Sequence, residues 1–160
     1  MGANKTKYSY REWFSAEEMH EHSKKWFSEL AFVKDEQHFL DQLIQSFAVK
    51  PITKEEFGHL SDFKKALAEN QRTLTPLFRQ VEKHMNQLEI MVDGVNQLEM
   101  EQAYQKTHQK LSAKTNEYLL NYRKIKEKGF GQLSSILKAT KQKIPLGNPE
   151  YQLKTTGDDH

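Results

Sequence analysis

The chain contains no cysteine, which excludes disulfides, thiolate metal sites and thiol nucleophiles. It has 7 glycines and 4 prolines in 160 residues, too few for a fold built on many tight turns. No apolar run approaches the ~20 residues that a membrane span needs. Met1 to Tyr10 is polar and lysine-bearing with no apolar stretch behind it, so no signal peptide is visible and the cytoplasm is the expected compartment. A glycine-rich phosphate loop, a G-x-S-x-G elbow and an H-E-x-x-H helix are all missing, and no nucleophile is nominated. These absences turn the reading away from an enzyme.

What remains is a polar but core-forming composition: 36% hydrophobic, 29% charged and 11% aromatic. That aromatic content sets it apart from a disordered polar chain. Apolar residues recur at helical spacing. Ser15-Ala16-Glu17-Glu18 is a capping box, followed by Met19, Trp26, Leu30, Val33, Leu40, Ile44 and Phe47, with Gln37 filling the gap in a four-three alternation. Thr53-Lys54-Glu55-Glu56 is a second box. After it Leu60, Lys64, Leu67, Gln71, Leu74, Phe78, Val81, Met85, Leu88 and Val92 form a second seam, with a kink expected near Pro76. Asp93-Gly94 marks a turn. A third seam runs through Tyr104, His108, Leu111, Thr115, Tyr118, Tyr122 and Ile125.

The expected fold is all-α: an elongated antiparallel bundle of three long helices at about 15–48, 54–93 and 97–128. Gly129 reads as a helix-ending glycine. Leu133, Ile136, Leu137 and Ile144 then belong either to a short fourth helix at 131–143 or to a phase-shifted continuation. Residues 1–14 read as a flexible arm, 15–144 as one bundle domain, and 145–160, opened by Pro145, Gly147 and Pro149, as a flexible tail.

Counting back from the turns near Lys50 and Gly94 places His84 level with Glu17 and Lys106, and within about a turn of His20 and His108. Glu17, His20, His84 and His108 therefore form a candidate metal site for iron, zinc or manganese. Glu17-x-x-His20 has the spacing used by ferritin-like carboxylate bundles. The H-x-x-x-E and H-x-x-x-H spacings of hemerythrin-like bundles are not found. Otherwise no cofactor is expected. A second candidate is a basic stripe on the third helix, made of Lys106, Lys110, Lys114, Lys124, Lys128 and Lys138. From Lys106 to Lys143 ten Lys or Arg face two acids. Such a stripe suits nucleic acid or an anionic surface, but no aromatics interleave it to stack bases. The leading expectation is a non-enzymatic bundle acting through a protein partner or as a homo-oligomer. Its flanking apolar residues (Phe27, Phe39, Leu43, Met91 and Leu119) exceed what three helices need to cover.

Overall fold

The computed structural model describes residues 13–94 and 97–143, with side-chain surroundings given for residues 13–94 and 98–140. Three helices account for nearly all of it: α1 (Ala16–Ala48), α2 (Lys54–Val92) and α3 (Gln97–Lys143). Both expected capping boxes close. Ser15 Oγ accepts from Glu18 N–H while Glu18 accepts from the Ser15 N–H, and Thr53 and Glu56 do the same for α2. Each cap satisfies two of the amides that the first turn leaves without helical partners.

The α1 seam is buried throughout, from Met19 to Phe47 and including Gln37. On α2 the buried set is Leu60, Phe63, Leu67, Asn70, Leu74, Leu77, Val81, His84, Leu88 and Met91. This alternates three then four, whereas the sequence reading took four then three. Lys64 and Gln71 are exposed as a result. The two readings share Leu60, Leu67, Leu74, Val81 and Leu88, and they diverge because α2 packs against both of its neighbours. Phe78 and Met85 are half-buried on its flank.

Pro76 lies inside an uninterrupted α2. Its missing N–H removes the bond to the carbonyl of Arg72. Both residues are exposed, so water can take that carbonyl and the helix continues.

Residues 131–143 continue α3, and the described residues contain no fourth helix. Gly129 is buried, and a Cβ there would collide with the ring of Phe63. It makes room for an α2 aromatic and does not end the helix. Leu133 and Ile136 then carry the core onward. Of the expected arm, Trp13 and Phe14 are described and Phe14 is partly buried; the rest of 1–14 and the tail from 145 lie outside the described residues.

The chain runs up, down and up, so α1 and α3 are parallel. They approach each other less closely than either approaches α2, which leaves an open face between them. No helix among the described residues is long and apolar enough to cross a membrane.

Candidate functional site

Two buried polar layers cross the bundle, each built from one side chain per helix. The first is Gln37, Asn70 and Tyr118, all under 5% exposed. Gln37 Nε2 donates to Asn70 Oδ1 (2.5 Å) and to the Tyr118 hydroxyl (3.1 Å), and that hydroxyl donates to Asn70 Oδ1 (2.5 Å). Burial raises the Tyr118 phenol to about 12, with the Gln37 bond working the other way. Gln37 Oε1 and Asn70 Nδ2 are buried without partners among the described residues, and a slip of one helix would unpair the three groups that do meet, so the triangle favours one register.

The second layer is a chain of histidines. His84 Nε2 lies 2.9 Å from His108 Nδ1, and His108 Nε2 lies 3.1 Å from His22 Nδ1. Trp26 stacks on His108 at 4.7 Å between centroids, and Phe14 stands edge-on to His22 at 4.8 Å. Gln105 holds Phe14 there with both ends of its amide: Phe14 N–H donates to Oε1 (3.0 Å) and Nε2 donates to the Phe14 carbonyl (2.5 Å).

Among the described residues His84 Nδ1 is buried without a partner. Hydrogen-bond counting therefore assigns the His84 proton to Nε2, donating to His108, and the His108 proton to Nε2, donating to His22. An unused lone pair is then buried in place of an unused N–H. Desolvation lowers His84 to about 4. His108 falls to about 3 through desolvation first, then through repulsion from His84 and His22. His84 and His108 are therefore neutral at ordinary pH.

The structure brings together two of the four expected metal-site residues. His84 and His108 meet, but the third ring is His22. His20 is two residues away and, at ~100° per residue, ~200° round the helix. Glu17 lies exposed on α1. The difference comes from register: Gln37 meets Asn70 and Phe27 meets Phe78, so α1 sits about a turn further along α2 than counting from the loop implies. His108 also turns its two nitrogens toward two different rings, so the nitrogens form a line. Among the described residues no three His, Asp or Glu side chains are grouped to hold a metal ion.

All six stripe lysines are exposed on α3. They lie on its α2-facing outer side, where Asp62 shares a cleft with Lys124 and Lys128, and Glu117 shares one with Lys114. Acids thus share the clefts of the stripe's middle part, from Lys114 to Lys128.

The open face lies on the other side of α3. A groove of about 400 Å³ between α1 and α3 is lined by Glu29, Phe32, Glu36, Leu119, Arg123 and Lys126, among others. Its floor is closed by Tyr122, which donates to Glu36 Oε1 (2.7 Å), and by Lys126, 2.8 Å from the same oxygen. Burial raises Tyr122, and Glu36 raises it further. Burial pushes Glu36 up, but Lys126 and Tyr122 together hold it below its usual value.

Above that floor Phe32 and Phe39, one heptad apart, are 64% and 59% exposed. Leu119 is half-buried beside them, and Phe130 and Leu137 continue the same flank of α3, 43% and 42% exposed. Of the apolar flank residues expected from sequence, Phe39 is open, Met91 is core, and Phe27, Leu43 and Leu119 are partly covered. His22 and Phe32 were not legible, because both fall between the seams. No protein-family model, no curated protein and no solved structure matches this chain.

Proposed function

We propose that the chain is a non-enzymatic helical module that works by binding another protein along the open face between α1 and α3. The observation that carries this reading is the pair Phe32 and Phe39, exposed one heptad apart on one side of α1. Two phenyl rings at this spacing present a ridge of the kind a helix surface accepts between its own side chains. Leu119 lines the groove opposite Phe32, and further along α3 Phe130, edge-on to Phe63, and Leu137 are also exposed. Exposed aromatic side chains aligned on one helix face, rimmed by charged residues, support a contact site. The histidine and Gln37–Asn70–Tyr118 layers fit the same role, because they fix helix register and so hold the ridge in one shape.

The test is site-specific photo-crosslinking. A photoreactive phenylalanine analogue replaces Phe32 or Phe39, and in a control replaces Ile90, which is 71% exposed on α2. Protein adducts at 32 and 39 and few at 90 are expected. Equal labelling at all three, or none, contradicts the reading.

A further inference from the structure

We infer that the partner on this face is a second copy of the same chain, bound side by side and parallel so that α1 of each copy lies over α3 of the other. This rests on the reading of the α1–α3 face as a contact surface, and it adds the occupant and its orientation.

α1 carries seven acids and three bases and α3 four acids and ten bases, but six of those ten form the stripe on the far side of α3, so the charges that count are those at the groove itself. At the groove Glu29 and Glu36 stand on the α1 side and Arg123 and Lys126 on the α3 side, and Asp35, next to Glu36 in sequence and three residues on from Phe32, is exposed on α1. A self-complementary contact between identical chains needs a two-fold axis, and two orientations bring this face onto itself. With the axis across the rod, the copies are antiparallel and α1 meets α1, acid against acid, while α3 meets α3, base against base. With the axis along the rod, the copies are parallel and α1 meets α3 in both halves. Like charges set opposite each other disfavour the first pairing, and opposite charges favour the second.

The levels also agree. Within one chain His22 meets His108 and Glu36 meets Tyr122, so Phe32 stands level with Leu119, and Arg123 with Asp35 and Glu36. A parallel copy keeps those levels. It sets Phe32 and Phe39 of each chain over the apolar flank of α3 in the other, with Arg123 between the two phenyl rings and facing the partner copy's acids. The ridge and the charges are then satisfied by one movement.

Sedimentation equilibrium of the full chain reads the association, with circular dichroism confirming that each variant keeps its helix content. A dimer is expected, and Phe32→Ser with Phe39→Ser should shift it to monomer. Arg123→Glu alone and Asp35→Lys alone should each weaken the dimer about tenfold by placing like charges across the contact. The two changes together should recover most of the loss. A variant that tightens the dimer points to the antiparallel pairing and overturns the inference, as does failure of the double variant to recover. If the chain is monomeric while the analogue at Phe32 labels a different protein, the inference falls and the contact face stands. If it is monomeric and labels nothing, both fall.

Discussion

His84 Nε2 and His108 Nδ1 lie 2.9 Å apart in the bundle interior, and among the described residues neither ring has a carboxylate beside it to stabilise an imidazolium. The pair is therefore held neutral, and the consequence is a pH-dependent stability with a definite sign.

The unfolded chain takes up protons on these histidines below their ordinary value of 6.5, whereas the folded chain resists until about 4 and about 3. Between those limits the unfolded state binds more protons, so stability falls as the pH falls through that window. The slope is up to ~1.4 kcal/mol per pH unit for each histidine. Denaturant unfolding at pH 7, 6 and 5 should show a falling midpoint. His84→Gln with His108→Gln should flatten the dependence between pH 6.5 and 5. A protein more stable at pH 5 than at pH 7 would contradict the account.

Gln105 fastens Phe14 over this layer through two backbone bonds. Gln105→Ala should free Phe14, admit water to His22 and His108, and move the His108 titration upward from about 3 toward its ordinary value. Proton NMR of the imidazole resonances reads this directly. An unchanged His108 titration would mean that Trp26 and the helices alone exclude water.

Gly129 separates two accounts of α3. If it ended a helix, Gly129→Ala would only weaken a stop signal and would stabilise a continued helix by ~1 kcal/mol. Because the Phe63 ring occupies the space of a Cβ, the substitution should instead destabilise by about 1–3 kcal/mol. Phe63→Leu in the same chain should relieve part of that loss. Thermal unfolding of the three variants decides between the accounts.

Tyr118→Phe removes one of two donors to Asn70 Oδ1 and one acceptor for Gln37 Nε2. The expected cost is about 1 kcal/mol in denaturant unfolding, the usual size for a buried hydrogen bond that leaves a partner incompletely satisfied. No change would mean that the triangle does not contribute to stability.

The helices were legible because their signals are local. Ser15 with Glu18 and Thr53 with Glu56 mark starts, and the spacing from Met19 to Phe47 marks a face. Register between helices was less legible, since it depends on how residues 49–53 span the first turn. A shift of about a turn there exchanges His20 for His22. Gly129 misled for a related reason: a glycine that ends a helix and a glycine that admits Phe63 look alike in one dimension. Phe32 stayed hidden because an exposed aromatic leaves no trace in a seam, and its meaning rests on the distance between α1 and α3.

The central claim is that the face carrying Phe32 and Phe39 is covered by protein in the cell. Hydroxyl-radical footprinting tests it on the chain in its native setting, compared with the purified chain at high dilution. The account predicts that oxidation of Phe32 and Phe39 is suppressed in the cell, while Phe57 and Ile90, also more than half exposed on α2, are oxidised as in the dilute protein. Equal oxidation of all four residues in both settings would contradict it.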